Sequence, residues 1–491
     1  KGTFNYYDGK IQGIVPIQGT TTSTPDQYGP VQTGYENGIS TIQLRILTQY
    51  EARIGWVYYE TLQGAIDIAK AKETVTLIKD LQLKEILQVG ETKDVILDLY
   101  GYELTVASGL NTVIKNYGDL EITDNSIEQK GKVSIYSSIK ADVATIRNEE
   151  NGDIILQNGE IYSNNAFTDE SRCKNYGIYN SSTGKVEIKN GNIKSSTSSK
   201  TTYCYGIYSN IGKIIITGGK IETEHIGSSY GDYGIYNAEN SELEIINGTI
   251  NSNKYIICNS STNNVFIRGG ELNCISEGSY LYGIYNSNIG NVEISGGTIT
   301  MADGFSFTYG IYNYSSGKII IKDGKLIAHG NLIYNEKNGI IQIMGGSLET
   351  DSRVGNNYGI FNKQSGIIEI KGGIIKTPYV NSIYNYDSGK IIIGDENASF
   401  IQNNPEIISE TTGIRNSSLG ELEFYNGIIQ AKVALNGNIT RIREGYKVEK
   451  SIIDELESIY LVEKTNTEYI VQIENNKYYT LKEAIESIEE E

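Results

Sequence analysis

The chain has 491 residues and a formal net charge of -18, with 54 glycines, 5 prolines and 38 tyrosines. This acidic balance argues against partners such as nucleic acid or anionic membranes, and no segment approaches the roughly 18 uninterrupted apolar residues of a membrane span. Its four cysteines are too few for a disulfide framework. Frequent turn residues and abundant branched aliphatic residues favour an all-β fold.

Two stretches near the start of the chain match two stretches near its end. Residues 2–9 match residues 420–427 at an offset of 418, and residues 54–65 match residues 473–484 at an offset of 419. We therefore expect the chain to open with the last coil of one module and to close with the first helix of the next.

An amphipathic helix is predicted in the first of the matched regions. Its apolar positions fall at i, i+3, i+4 and i+7, the spacing of one helical face: Leu62, Ala65, Ile66 and Ala69. The matching positions near the end of the chain are Leu481, Ala484, Ile485 and Ile488. We expect the first helix to cap the first coil, because an uncovered strand edge invites aggregation.

A motif of the type Tyr-Gly-Ile-Tyr-Asn recurs, with decay, in twelve copies at intervals of 22 to 32 residues. The central isoleucines are Ile114, Ile146, Ile178, Ile207, Ile235, Ile257, Ile284, Ile311, Ile333, Ile360, Ile383 and Ile414. A period of this length is typical of solenoids, in which each repeat buries its apolar side against its neighbours.

One copy, residues 176–195, shows the strand pattern most clearly. Its residues alternate between apolar and polar, so that Val186 and Ile188 point inward, and turn residues separate three short strands. Three strands and three turns in so few residues predict one coil of a parallel β-helix. With about twelve coils spaced about 4.8 Å apart, we expect a rod on the order of 60 Å long.

An asparagine occupies the same turn position in most copies and predicts a structural ladder. These residues are Asn180, Asn237, Asn259, Asn286, Asn313, Asn335, Asn362, Asn385 and Asn416. Stacked amides at such a position can hydrogen-bond along the axis and satisfy backbone groups of the turn.

These repeats resemble the right-handed parallel β-helix repeats, of pectin-lyase-like fold, found in large cell-surface proteins of Gram-positive bacteria. Residues 58–67, 74–80 and 98–105 resemble the start of such a module. The resemblance covers nearly the whole chain and implies an extracellular, cell-surface location. It specifies the fold well and the activity poorly.

Four segments follow from the repeat and the matched ends. Residues 1–50 are predicted to be the last coil of a preceding module plus a linker. Residues 51–430 form the capping helix and the parallel β-helix, 431–469 a β linker without a repeat, and 470–491 the start of a following module.

Two files of outward aromatic residues are the first candidates for ligand binding. The first file contains Tyr179, Tyr208, Tyr236, Tyr285, Tyr312, Tyr334, Phe361 and Tyr384. The second contains Tyr176, Tyr205, Tyr233, Tyr255, Tyr282, Tyr309 and Tyr358. Such rings can bind the flat face of a sugar or a partner protein, or they can stabilise the solenoid by stacking on one another.

The loops that precede each motif carry most of the variation in repeat length. They are residues 162–175, 195–204, 223–232, 275–281, 302–308 and 351–357. Variable loops on a regular scaffold often carry recognition, although they can also be tolerated insertions. Cys173 and Cys204 fall in successive loops of this set, which makes them candidates for a disulfide.

A catalytic site is not predicted. The outward positions of the second strand alternate between acids and apolar residues, as at Glu187, Ile215 and Glu244, and do not gather acids into a cluster. No catalytic residue, metal ligand or cofactor is assigned. The leading hypothesis is a structural stalk or adhesin that contacts a glycan or a host surface protein. A polysaccharide lyase or hydrolase of the same fold, and a subunit of a filament that joins copies end to end, remain the alternatives.

Overall fold

Alternating aliphatic and polar residues favour β-strands, and the described secondary structure is nearly all β, with most of its strands paired in parallel. The computed structural model describes residues 4–17, 24–25, 27–167, 172–225, 231–276, 279–302, 306–397, 404–464, 471–473, 476–478 and 480–489. It contains two compact units, Lys1–Gly317 with Ile327–His329 and Lys318–Leu326 with Gly330–Glu491. The all-β prediction is confirmed, and the parallel pairing is compatible with the predicted β-solenoid.

Within its described residues, the first unit holds one helix, α1 (Leu62–Ile68), and a long series of short strands. The strands are β1 (Lys10–Gly13), β2 (Tyr28–Glu36), β3 (Ile39–Ile46), β4 (Ala52–Ile54), β5 (Val57–Tyr59), β6 (Glu73–Leu77), β7 (Leu81–Leu83), β8 (Leu87–Val89), β9 (Asp94–Asp98), β10 (Glu103–Val106), β11 (Thr112–Asn116), β12 (Asp119–Thr123), β13 (Lys132–Ser137), β14 (Val143–Asn148), β15 (Asp153–Leu156), β16 (Glu160–Asn165), β17 (Lys174–Asn180), β18 (Lys185–Ile188), β19 (Asn192–Thr197), β20 (Tyr203–Ile216), β21 (Lys220–His225), β22 (Asp232–Ile245), β23 (Thr249–Ser252), β24 (Tyr255–Ser261), β25 (Val265–Ile267), β26 (Glu271–Cys274), β27 (Ser279–Asn286), β28 (Val292–Met301) and β29 (Ser306–Asn313).

The second unit holds the remaining strands, including most of β30, and a second helix, α2 (Leu481–Glu489). The strands are β30 (Lys318–Ala328), β31 (Asn331–Asn335), β32 (Ile340–Ile343), β33 (Ser347–Thr350), β34 (Tyr358–Asn362), β35 (Ile367–Ile370), β36 (Ile374–Thr377), β37 (Asn381–Asn385), β38 (Lys390–Ile393), β39 (Glu406–Asn416), β40 (Glu421–Phe424), β41 (Ile428–Asn436), β42 (Arg441–Ile442), β43 (Tyr446–Ile453), β44 (Leu456–Glu463), β45 (Val471–Ile473) and β46 (Asn476–Tyr478).

Strands of the repeats pair with their equivalents one repeat away. Ile146 lies opposite Ile178, and Ile178 lies opposite Ile207, in parallel register. These isoleucines are fully buried, as are Val186 and Ile188 of the next strand. Branched aliphatic residues that stack on their own kind fill the interior closely, so each repeat buries its apolar side only beside a neighbour.

The three strands predicted for residues 176–195 are present as β17, β18 and β19. In the following repeat the first two strands run together as β20, with Gly212 at φ +81° between them. A Cβ atom at Gly212 would lie 2.3 Å from the carbonyl oxygen of Gly184. Glycine is therefore required here for the close approach of two successive repeats.

A small antiparallel sheet opens the first unit. Its strands lie in the order β1-β3-β2, and its core contains Tyr6, Ile17 and Ile42. Trp56 packs against this core, and its carbonyl oxygen accepts a hydrogen bond from the amide of Gln32. The sheet is thereby joined to the β4–β5 hairpin that precedes α1.

Helix α1 buries the face that the sequence predicts. The Thr61 side chain accepts a hydrogen bond from the amide of Gly64, an N-cap, and Glu51 accepts one from the amide of Leu62. Leu62, Ala65 and Ile66 are fully buried, and the helix packs on β4, β5, β6 and β8.

The second unit continues the same parallel pairing and then changes to antiparallel strands. Strand β41 pairs in parallel with β39 on one side and antiparallel with β44 on the other, and β43 completes this sheet. The β45–β46 hairpin and α2 follow. Among the described residues, neither helix is long and apolar enough to cross a membrane.

Candidate functional site

The predicted asparagines form a buried file of side-chain hydrogen bonds in the first unit. Asn148, one repeat before the first predicted member, donates its side-chain amide to Asn180 at 2.8 Å and to the carbonyl of Gly152 at 2.6 Å. The same chain of bonds joins Asn237, Asn259, Asn286 and Asn313, with successive distances of 2.9, 2.8 and 3.0 Å. Each amide therefore holds both the neighbouring repeat and the turn that follows its own strand.

One position in this file departs from asparagine. Ser209 takes the place between Asn180 and Asn237, accepts from the Asn180 amide at 2.9 Å, and bonds the hydroxyl of Ser241 at 2.8 Å. In the second unit the file joins Asn335, Asn362, Asn385 and Asn416 at 2.9, 2.9 and 2.8 Å. Because these amides are buried, a ligand in solution cannot reach them.

The two aromatic files of the first unit stack on each other as well as along themselves. Within the first file, Tyr179 and Tyr208 have ring centroids 5.5 Å apart and an interplanar angle of 3°. Within the second file, Tyr205 and Tyr233 are 4.9 Å apart at 6°. Between the files, Tyr205 meets Tyr208 edge to face at 5.5 Å and 90°. The ring faces are thus largely covered by other rings.

This packing reduces the exposure of the tyrosine side chains to water. Burial raises the pKa of Tyr205 and of Tyr233 far above the ordinary range, and it raises that of Tyr208 to about 12. A sugar stacks on the face of an aromatic ring, and these faces are already occupied. The tyrosines of the first file in this unit remain partly exposed to solvent.

The first file is interrupted at Cys258. This residue lies in register between Tyr236 and Tyr285, and it is buried, which raises the pKa of its thiol to about 12. Tyr285 and Tyr312 then resume the stack at 5.5 Å and 14°. In the second unit the remaining members meet at larger angles, 41° for Tyr334 with Phe361 and 62° for Phe361 with Tyr384.

The structure does not join Cys173 and Cys204, and all four cysteines are buried thiols. The amide of Tyr203 bonds the carbonyl of Cys173, whereas Cys204 lies in register with Asn175. The structure describes the two candidates for a disulfide as separate thiols, with Cys204 aligned two residues beyond Cys173.

The edge loops are described only in part. Residues 168–171, 226–230, 277–278 and 303–305 of the predicted loops lie outside the described residues. Two exposed aromatic residues occupy the described parts of consecutive loops: Tyr280 and Phe307 stack at 4.9 Å and 9°, both with positive φ. These rings belong to neither predicted file.

A group of acids that the sequence analysis missed lies on an earlier part of the first unit. Asp119 is in register with Asp94 on one side and Asp153 on the other. Together with Lys72 and Lys185, they line a cavity of about 250 Å³. Desolvation, then the charges of Asp153 and Asp94, raise the pKa of the Asp119 carboxyl.

A sequence signal for this group was present. Each of the three aspartates is the first residue of a second strand, and each is followed by an aliphatic residue at the next position and at the third. The alternation of acids and apolar residues that begins at Glu187 does not include this earlier alignment.

A buried histidine was missed as well. His225 ends β21, and its Nδ1 lies 3.5 Å from an Asp232 carboxylate oxygen, with both side chains inaccessible to solvent. Among the described residues, no three His, Cys, Asp or Glu side chains are placed to hold a metal ion.

Comparison with known proteins adds no relative: no protein-family model, curated protein or solved structure matches the chain.

Proposed function

We propose that the chain is a structural and adhesive module of a bacterial cell-surface protein, in which a parallel β-solenoid presents a glycan-binding or protein-binding surface. The observation that carries the proposal is the uniformity of the buried files. The asparagine amides and the stacked tyrosines repeat along each unit, and they contact their equivalents in the neighbouring repeats. A scaffold of this kind extends a surface without requiring a catalytic centre.

The finer features of the fold belong to this proposal. We take the solenoid to be right-handed, of pectin-lyase-like type, with about twelve coils and with α1 as its N-terminal cap. The burial of Leu62 and Ile66 against the first parallel strands supports the capping role. The cell-surface and extracellular location rests on the sequence resemblance.

The test of the adhesive role is binding of the full chain to a glycan array and to host extracellular proteins. We expect saturable binding to at least one member of these panels. No binding to either panel would overturn the adhesin proposal and leave only a structural role.

A polysaccharide-cleaving enzyme is the second candidate, and the aspartate group favours it. Three carboxylates in adjacent strands, one of them with a raised pKa, are a local cluster of the kind that acid–base chemistry on a glycosidic bond requires. Release of oligosaccharides from neutral and acidic polysaccharides by the wild-type chain, and its loss in Asp119→Asn, would establish this activity. An equal rate in Asp119→Asn would remove Asp119 from any such site.

A further inference from the structure

A cavity on the first unit, outside the two aromatic files and the aspartate group, is lined by an exposed aromatic ring and neutral polar groups. The cavity measures about 350 Å³ and is lined mainly by Ser108, Tyr136, Ser137, Ser138, Ile139 and Asn164. This volume lies at the lower end of the range for small-molecule sites. Tyr136 belongs to neither aromatic file, and the residue is 52% exposed.

Two neighbouring side chains hold the Tyr136 ring in place. Lys132 Nζ donates to the Tyr136 hydroxyl at 2.9 Å and also lies 5.5 Å from the ring centroid. The Tyr162 ring packs at 5.4 Å and 48°. A ring fixed by these contacts loses little conformational freedom when a ligand covers it, which favours binding.

Polar groups surround the ring on the neighbouring strand and turn. Asn164 lies in register with Tyr136, and its Nδ2 donates to the Tyr162 hydroxyl at 3.2 Å, which orients the amide. The Ser137 hydroxyl accepts from the amide of Ile139, and Ser138 is exposed. An oriented amide and several hydroxyls beside an aromatic ring match the alternating hydroxyl groups and apolar face of a pyranose.

The lining also limits the charge of the ligand. Its described side chains are a phenol, an amide, hydroxyls and aliphatic groups, whereas Lys132 is engaged by Glu103 at 3.3 Å and by the Tyr136 hydroxyl. A uronate or a phosphate would find no uncommitted cation among these groups. Transfer from water to such a surface costs a neutral sugar less desolvation free energy than it costs a charged one.

From these contacts we infer that the cavity at Tyr136 and Asn164 is a binding site for one neutral pyranose ring of a glycan. The ring packs on the face of Tyr136, and its hydroxyls bond Asn164 and the serines. This inference rests on the proposed adhesive function and assigns it to a site outside the two tyrosine files.

Saturation-transfer difference NMR on the full chain tests the site, with the methyl glycosides of glucose, galactose, mannose and N-acetylglucosamine as probes. We expect transfer to the ring protons of at least one glycoside and about tenfold weaker binding in Tyr136→Ala. Tyr136→Phe should keep most of the binding because it keeps the ring. Asn164→Ala should weaken it through the loss of directed hydrogen bonds.

Tyr280→Ala is the matched control, because its ring is 51% exposed and lies away from the cavity. It should bind the glycoside like the wild type. Far-UV circular dichroism and thermal unfolding establish that each variant is folded.

Two outcomes would overturn the inference, and they differ in what they say of the proposed function. If the wild type binds glycans on the array but Tyr136→Ala binds them equally well, the site is wrong and the adhesive role stands. If the wild type binds no glycan and no glycoside, both the site and the glycan-binding role fail.

Discussion

The beginning and the end of the chain fold into the same pair of motifs, but only the first pair is completed by packing. The hairpin β2–β3 pairs Tyr28 with Ile46, and the hairpin β43–β44 pairs Tyr446 with Glu463. Their third strands also correspond: Ile11 lies opposite Ile42 in the first sheet, and Ile429 lies opposite Ile459 in the second. Residues 446–463, which lie in the segment without a sequence repeat, are therefore a structural copy of residues 28–46.

The following hairpins correspond without any change of register. Ala52 pairs with Tyr59 in the first hairpin, and Val471 pairs with Tyr478 in the second. Each residue of the second pair lies 419 positions after its equivalent in the first pair. A helix follows each hairpin. Ile66 of α1 is fully buried, whereas Ile485 of α2 is 48% exposed.

The difference shows which part of each motif is local. Hairpin register is set by short-range pairing and survives in both copies. Burial of the helix face depends on the parallel strands that α1 meets in its own unit, whereas the described packing of α2 is on β45 and β46. An amphipathic helix is stabilised mainly by the surface that covers its apolar face.

The largest effect should come from truncating the helix face in the two copies. Ile66→Ala is expected to lower the free energy of unfolding of its region by about 2–5 kcal/mol, because it leaves a cavity in a closed core. Ile485→Ala should change it by less than about 0.5 kcal/mol. Guanidinium unfolding followed by far-UV circular dichroism and by the fluorescence of Trp56, the only tryptophan, measures both. Equal losses would mean that α2 is covered as α1 is.

A smaller loss of unfolding free energy, equal in the two copies, is expected at a position that is buried in both sheets. Ile42 and Ile459 are fully buried at corresponding positions of the two sheets. Valine at either position should cost about 0.5–1.5 kcal/mol, as for the loss of one methylene from a packed core. The same unfolding measurements apply. A cost at one position alone would show that the two sheets have different cores despite their common pairing.

The smallest effect should follow deletion of Thr33. The first hairpin shifts register between Gln32 and Gly34, and the second has no such irregularity. Removing the extra residue should give the regular hairpin of the second copy, with a change in stability within about 1 kcal/mol. Deletion of Ser451 from the regular hairpin is the control, and it should destabilise more because it displaces the remaining pairs. A larger loss from deletion of Thr33 would mean that the bulge is needed for the contact with Trp56.

Much of the fold can be predicted from the sequence because its period is strong. The isoleucine spacing, the paired inward aliphatic residues and the asparagine at each turn all repeat, and repetition in a solenoid means contact between equivalent residues. The buried helix face at Leu62 and Ile66 can also be predicted, because apolar residues with helical spacing need a covering surface. The candidate site was less predictable. The sequence predicts which tyrosines align in each file. It does not predict that the rings of the two files cover one another's faces.

The sequence by itself determined that the chain is all-β, that its strands repeat in parallel and where its matched ends lie, because these depend on alternation and period. Only the tertiary structure decided that residues 446–463 copy residues 28–46, since paired strands can share a register after their side chains have diverged. It also decided that Asp94, Asp119 and Asp153 lie together and that Tyr136 is exposed and lines a cavity. Those groupings join residues about 25 to 35 positions apart through strand register, and their exposure depends on which rings and loops cover them.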